Sequence, residues 1–107
     1  MPLYLGRFSY SSEAIKGLIE NPQDRGKAAA EAAESVGAKL VGFWLAFGEF
    51  DGAFLVEAPD NATVLALAML VGASGAIEKT ETTVLLTVEE AQDAMRKAGG
   101  ATFRPPG

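Results

Sequence analysis

The sequence predicts an α+β fold of the ferredoxin-like type. In this fold a β-α-β-β-α-β sheet carries its helices on one face, and here an extra helix follows at the C-terminus. Four apolar segments with strand character occur in that order among helical segments, and a glycine-flanked turn at Gly48–Gly52 joins the two middle strands. A chain of 107 residues, 49% of them hydrophobic, is long enough for one core. We expect residues 1–99 to form a single domain and residues 100–107 to be a flexible tail.

The first half of the chain begins with a strand and continues with two helical segments. Residues 3–9 alternate loosely and are rich in Leu, Tyr and Phe, which indicates a strand. Ser11 or Ser12 can cap a short helix after it. Asn21, which is followed by proline, is expected to cap a second, alanine-rich segment that ends before Gly37.

The second half of the chain supplies three strands and two helices. The predicted strands cover Lys39–Phe47, Gly52–Ala58 and Ile77–Thr87. Between the last two strands, Asp60 caps a helix that runs through residues 62–71. Thr87 and Glu90 have the spacing of a capping box, which opens the C-terminal helix.

The predicted strands are apolar on both faces, the second strand most clearly. Simple alternation puts Val41, Phe43, Leu45 and Phe47 on one face and Leu40, Trp44 and Ala46 on the other. The two main helical regions can cover only one face of a four-stranded sheet, and a bare apolar face is costly in water. We therefore expect the chain to associate with itself, as a homodimer of the dimeric α+β barrel type or as a higher homo-oligomer.

Four segments carry a resemblance to a known family. They are Gly48-Glu49-Phe50-Asp51, Glu57-Ala58-Pro59-Asp60, Asn21-Pro22-Gln23-Asp24-Arg25 and Gly37. Together they resemble the GYD domain family, named for a Gly-Tyr-Asp turn, over roughly residues 3–98. The resemblance implies a small bacterial or archaeal protein of the dimeric α+β barrel type and no particular reaction. Here Phe50 stands in place of the family's tyrosine and Glu49 is inserted before it, so a role for the phenol hydroxyl is not expected.

Composition excludes several kinds of chemistry. The chain has no Cys and no His, so disulfides, thiolate or imidazole metal sites and a cysteine nucleophile are excluded. No phosphate loop or dinucleotide fingerprint is present, and we expect neither a cofactor nor a metal. The net charge of −5 argues against nucleic acid or an anionic membrane surface as a partner. The N-terminus does not have the pattern of a signal peptide, and the lack of cysteine fits the cytoplasm, which is the expected location.

Without histidine, acid–base chemistry would depend on carboxylates, and Glu57 and Asp51 are the candidate catalytic residues. Glu57 ends an apolar strand and Arg7 lies in the neighbouring strand, so the two are expected to form an ion pair at the sheet end. Alternatively, a desolvated Glu57 would have a raised pKa and could act as a base. Asp51 is more simply expected to bind the amides of its own turn.

Binding of a ligand would use aromatic and cationic side chains. Trp44 and Tyr10 could line an apolar pocket between helices and sheet, although core or dimer packing is the default role of such residues. Arg25, early in its helix, could bind an anion or could pair with a neighbouring acid, Asp24 or Glu20. The predicted ligand-binding residues are therefore Arg7, Tyr10, Arg25, Trp44 and Glu57.

Three functions fit these features. The first is a homo-oligomeric protein that binds a small apolar or aromatic ligand between sheet and helices. The second is a cofactor-free isomerase or monooxygenase of the dimeric barrel type, and the third is a structural oligomerisation module. The absence of histidine disfavours the enzyme, but a buried glutamate can be tuned to act near neutral pH, so the sequence leaves catalysis open.

Overall fold

The computed structural model covers all 107 residues and confirms the ferredoxin-like arrangement. The elements are β1 (Leu3–Tyr10), α1 (Ser12–Glu20), α2 (Arg25–Ser35), β2 (Lys39–Leu45), β3 (Gly52–Glu57), α3 (Asn61–Ala73), β4 (Ile77–Leu85) and α4 (Val88–Gly99). The four strands form one antiparallel sheet in the order β2-β3-β1-β4. The two helical segments predicted in the first half are present as α1 and α2, and residues 100–107 have no regular secondary structure.

Three of the four helices begin where the sequence indicates. Ser11 caps α1, Asp60 caps α3, and Thr87 with Glu90 forms the expected capping box at α4. Each of these side chains accepts a hydrogen bond from a backbone amide three residues ahead or behind, which satisfies a group that the helix leaves free.

The predicted start of α2 is wrong. Asp24, not Asn21, caps this helix, and its Oδ1 accepts a hydrogen bond from the Lys27 amide at 3.3 Å. Asn21 instead caps the C-terminal end of α1, where its amide donates to the Gly17 carbonyl. The segment from 21 to 24 is therefore a short connection between two helices, and Arg25 is the first residue of α2.

The core lies between one face of the sheet and the helices α2 and α3. Its buried members are Tyr4, Ala33, Ala38, Val56, Ala58, Val64 and Leu67. Tyr4 pairs with Val56 across β1 and β3, so both side chains point to this helix-covered face. The Tyr4 hydroxyl donates to Asn61 Oδ1 at 2.7 Å and thereby ties the sheet to the start of α3.

A β-bulge in β2 overturns the predicted alternation. Leu40 pairs with Val56, but the next pair is Gly42 with Leu55, which leaves Val41 as an extra residue. Leu40 and Phe43 consequently face the helices together, although alternation had placed them on opposite faces.

The other side of the sheet is not covered by any helix of the chain. We call this side the open sheet face; it carries Leu3, Leu5, Arg7, Trp44, Ala53, Leu55, Thr83 and Leu85. The sequence predicted that one face would be left bare in this way. Trp44 is 55% exposed, and the leucines of the central strands are only partly covered by their neighbours.

The C-terminal helix α4 lies away from the core. None of its residues is buried, although Val88, Ala91, Met95 and Ala98 recur at the spacing of one apolar stripe. The molecule is elongated, 59 × 34 × 21 Å, and its radius of gyration of 17.5 Å exceeds the roughly 13 Å of a compact chain of this length. None of the helices, α4 and the apolar α3 included, is long and apolar enough to cross a membrane.

Candidate ligand-binding site

A cavity of about 660 Å³ lies between the helix-covered face of the sheet and the helices α1, α2 and α3. Its size falls within the range of small-molecule sites. The sheet contributes Phe8, Leu40, Phe43 and Phe54, α2 contributes Ala28, Ala29 and Ala32, and α3 contributes Leu67, Leu70 and Val71. The cavity is therefore walled mainly by apolar side chains.

The cavity exists because large residues on the sheet face small ones on α2. Phe8 lies at the centre of an aromatic group, with ring centroids 5.5 Å from Phe43, 5.2 Å from Tyr10 and 6.1 Å from Phe54. Opposite these rings, α2 presents the methyl groups of Ala28, Ala29 and Ala32, with Arg25 at the margin of the cavity. The methyl groups leave the space above the rings unfilled.

Polar groups line only part of this wall, and two of them are Tyr10 and Arg25. Arg25 is the one charged residue that lines the cavity, and its Nη1 donates to Gln23 Oε1 at 2.9 Å. Neither Asp24 nor Glu20 forms an ion pair with it, so pairing with a neighbouring acid, one of the two roles that the sequence allowed, does not occur. The guanidinium group lies exposed at the cavity margin.

The phenol of Tyr10 keeps its proton more strongly than an ordinary tyrosine. Burial raises its pKa above the usual value of 10.0, the positive charge of Arg25 acts in the opposite direction, and the negative charge of Asp51 raises the pKa further. The hydroxyl makes no hydrogen bond to another residue of the chain. At neutral pH it is a neutral group that can donate a hydrogen bond.

Asp51 binds the strand that bears Tyr10, whereas the sequence predicted that it would bind the amides of its own turn. Its Oδ2 accepts a hydrogen bond from the Tyr10 amide at 2.8 Å, and its own amide donates to the Phe8 carbonyl at 2.8 Å. The carboxylate thus binds an amide of β1 and not the amides of its own turn. Asp51 does not line the cavity.

Phe50, in the same turn, lies under two cations on the open sheet face. The ring is only 5% exposed, and its centre is 4.7 Å from Arg7 Cζ and 4.8 Å from Lys79 Nζ. Arg7 forms its ion pair with Glu81, and Lys79 pairs with Glu49 at 2.7 Å. Hydrogen bonding to Lys79 and its positive charge lower the pKa of Glu49.

The sequence profile of the GYD domain matches residues 4–95. The chain belongs to the GYD domain family. Its fold is similar to the crystal structure of FFRP-DM1, with a TM-score of 0.51 and 13% identity over 80% of this chain and 100% of that one. It is also similar to TTHA0845 from Thermus thermophilus, with a TM-score of 0.55 and 17% identity over 82% and 96% of the two chains. At these identities the likeness shows the fold alone, and no curated protein matches the chain.

Among the predicted site residues of this GYD domain protein, the structure brings Tyr10 and Arg25 together at the cavity. Trp44 lines a smaller adjoining cavity of about 360 Å³, which Tyr10 and Arg25 also border. Arg7 and Glu57 line neither cavity. A role for Arg7, Trp44 or Glu57 in binding therefore stays a prediction from the sequence.

The expected ion pair between Arg7 and Glu57 is wrong. In the β1–β3 register Glu57 lies opposite Leu3, whereas Arg7 lies opposite Ala53, four residues further along the strand. The sheet therefore separates the two side chains, and Arg7 pairs with Glu81 of β4 instead. Nor does the chain gather three or more acidic residues at any point where they could hold a metal ion.

Sequence reasoning missed Gln23 and the alanines of α2. Gln23 connects the site to the main chain, because its Nε2 donates to the Asn21 carbonyl at 3.1 Å while its Oε1 accepts from Arg25. The available signal was the polar segment Asn21-Pro22-Gln23-Asp24-Arg25, in which an arginine opens a helix against the dipole. The run of alanines was a second signal, since a helix of small side chains cannot fill the space over large aromatic rings.

Proposed function

We propose that this GYD domain protein binds a small apolar or aromatic ligand in the cavity between the sheet and α1, α2 and α3. The cavity itself carries the proposal: about 660 Å³ with walls of aromatic and aliphatic groups and a few polar groups among them. This combination is typical of small-molecule sites, in which apolar walls supply affinity and a few polar atoms fix orientation.

The same lining favours binding over catalysis. No carboxylate faces the cavity, so neither Glu57 nor Asp51 is available there as a base. Tyr10 is the titratable acid at the wall; an ordinary tyrosine, with a pKa of 10.0, is already protonated near neutral pH, and burial raises the pKa of Tyr10 further. A general base needs a pKa close to the working pH, and the cavity residues supply none.

We further propose that two copies of the chain associate through the open sheet face. Support comes from the apolar residues that this face leaves accessible, Trp44 among them, in a molecule that buries only 11 of its 107 residues. No residue of the apolar stripe of α4 is buried within the chain. A second sheet packed on the open face would remove this surface from water.

Calorimetric titration with the neutral probe 2-(1-naphthyl)ethanol tests ligand binding. The wild type is expected to bind it, and Ala29→Leu is expected to weaken binding by at least about tenfold, because the added carbon atoms occupy the cavity. Ala30→Leu is the matched control: it adds the same volume on the same helix at a residue that does not line the cavity. Failure of the wild type to bind, or equal loss in both variants, would contradict the proposed site.

Sedimentation equilibrium tests the association. The wild type is expected to be a dimer or larger. Trp44→Glu is expected to shift the protein toward monomer without changing its circular dichroism spectrum. Phe47→Glu places the same charge on a fully exposed aromatic of the neighbouring turn and is expected to leave the assembly unchanged. A monomeric wild type would end this part of the proposal.

A further inference from the structure

We infer that the ligand of this cavity carries a carboxylate, which Arg25 and Tyr10 bind at the cavity margin while the apolar body lies against the phenylalanine rings. The inference rests on the proposed function and narrows the ligand class from apolar molecules in general to aliphatic or aromatic carboxylates.

The charge of the cavity wall favours an anionic ligand. The chain as a whole carries −5, yet the only charged residue on the wall of the main cavity is the cation Arg25, while Asp24 borders the smaller adjoining cavity. No carboxylate oxygen lies within 4.0 Å of its nitrogens. Asp24, the acid next to it in sequence, is used as the cap of α2, where it binds the Lys27 amide. The positive charge of Arg25 therefore has no ion-pair partner within the chain.

The hydrogen-bonding geometry of Arg25 suits a carboxylate. A guanidinium group has five N–H donors, and the chain uses one of them, in the hydrogen bond to Gln23. Gln23 is itself held by the Asn21 carbonyl, so the connection between α1 and α2 fixes the guanidinium at the cavity margin. The remaining donors match the two oxygens of a carboxylate, which arginine binds in a bidentate manner. We regard Gln23 as a positioning residue.

Tyr10 adds a neutral donor beside this cation. Its hydroxyl has no partner in the chain, and Asp51 fixes the backbone of the residue through the 2.8 Å hydrogen bond to its amide. The phenol and the guanidinium border both the main cavity and the smaller adjoining one, so they lie together where the two meet. One cation and one neutral donor suit a monoanion, which is the charge of a carboxylate.

Two probes of matched shape test the inference. 1-Naphthaleneacetate carries a carboxylate, and 2-(1-naphthyl)ethanol carries a neutral CH₂OH group at the same position. The wild type is expected to bind the carboxylate about tenfold more tightly than the alcohol. Arg25→Gln is expected to remove this preference by weakening the carboxylate alone. Lys27→Gln removes the same charge two residues away on α2, outside the cavity, and is expected to keep the preference.

Two further measurements sharpen the test. Tyr10→Phe and Gln23→Ala are each expected to reduce the affinity for the carboxylate about threefold. Tyr10→Phe removes the hydrogen bond from the phenol to the carboxylate, and Gln23→Ala removes the hydrogen bond that holds the Arg25 guanidinium. Since Arg25 is exposed, raising the salt from about 0.05 M to about 0.5 M is expected to reduce the preference without changing alcohol binding.

The outcomes separate this inference from the proposed function. If the alcohol binds as tightly as the carboxylate, or if Arg25→Gln and Lys27→Gln weaken the carboxylate equally, the inference is overturned while the apolar site stands. If neither probe binds the wild type, both the inference and the proposed function are wrong.

Discussion

The Asp51 carboxylate accepts a hydrogen bond from the Tyr10 amide across 2.8 Å, and this contact joins the turn before β3 to the margin of the cavity. Two main-chain bonds support it, from the Asp51 amide to the Phe8 carbonyl and from the Ala46 amide to the Asp51 carbonyl. The turn between β2 and β3 therefore fixes the end of β1, where Phe8 and Tyr10 contribute to the aromatic wall. Asp51 therefore stabilises the position of β1, and its side chain does not line the cavity.

Replacement of Asp51 should destabilise the fold. Asp51→Ala leaves the partly buried Tyr10 amide without an acceptor, and we expect the free energy of unfolding to fall by about 1–3 kcal/mol. Asp51→Asn keeps an acceptor oxygen and should cost less. Urea unfolding measures both changes. Asp93→Ala, which removes an exposed aspartate of α4, should stay within about 0.5 kcal/mol of the wild type, and a similar loss at both aspartates would argue against the role given to Asp51.

Two phenylalanines of the same turn should differ sharply. Phe50 is buried beneath Arg7 and Lys79, so Phe50→Ala should lower the free energy of unfolding by about 3–5 kcal/mol. Phe47 lies three residues earlier and is fully exposed. Phe47→Ala should therefore change the free energy of unfolding by no more than about 0.5 kcal/mol.

The contribution of the cations can be isolated by a third variant. Phe50→Leu keeps most of the apolar volume but loses the aromatic face, and it should cost about 1 kcal/mol through the lost cation–π contacts. Equal stability of the Phe50→Ala and Phe47→Ala proteins would show that the packing of Phe50 does not stabilise the fold.

Much of the fold was predictable because its signals are local. Ser11, Asp60 and Thr87 each bind an amide three residues ahead, so the residues that define these helix starts are adjacent in the sequence. The start of α2 was not predictable in this way, because Asn21 and Asp24 are both suitable caps. The choice between them depends on how the connection packs, which is not a local property.

The candidate site was less predictable because it depends on register and on packing between distant segments. Arg7 meets Glu81 rather than Glu57 because of the alignment of β1 with β3 and β4, and residue types alone do not set that alignment. The bulge at Val41 likewise turns Leu40 to the same side as Phe43. Aromatic and cationic residues can be identified in a sequence. Whether neighbouring helices fill the space over them cannot be read from it.

Acid should weaken the start of α3 through Asp60. The hydroxyl and the amide of Thr63 donate to its Oδ1 at 2.7 and 2.9 Å, and these bonds lower the pKa of Asp60 below its ordinary value of 3.8. A group with a lowered pKa in the folded state contributes stability above the unfolded value, and the contribution is lost as the pH falls through the folded value. The free energy of unfolding should therefore decrease as the pH drops below about 4.

The variant Asp60→Asn isolates this effect, because asparagine also caps helices but does not titrate. Its unfolding free energy, followed by urea titration from about pH 2 to about pH 7, should decline less steeply below about pH 4 than that of the wild type. Thr63→Val, which removes the hydroxyl donor and keeps the amide, should lie between the two. Parallel curves for the wild type and Asp60→Asn would remove Asp60 from the acid response.

Alkali should act on the cavity margin through Tyr10. Burial raises the pKa of this phenol above 10.0 against the opposing charge of Arg25, so the folded protein holds the proton more tightly than the unfolded chain does. Stability from a raised pKa is fully present below the unfolded value and is lost as the pH rises through the folded one. The free energy of unfolding should consequently fall as the pH rises above about 10.

Titration of ¹³C-labelled tyrosine, with Tyr10→Phe to assign the signal, measures the pKa directly. Arg25→Gln should raise the pKa of Tyr10 further, because it removes the positive charge that favours the phenolate. Asp51→Asn should lower it, since a negative charge that disfavours the phenolate is lost. Lys27→Gln, on the same helix as Arg25 but outside the cavity, should leave it unchanged. A Tyr10 signal that does not respond to Arg25→Gln would show that the guanidinium and the phenol do not interact at the site.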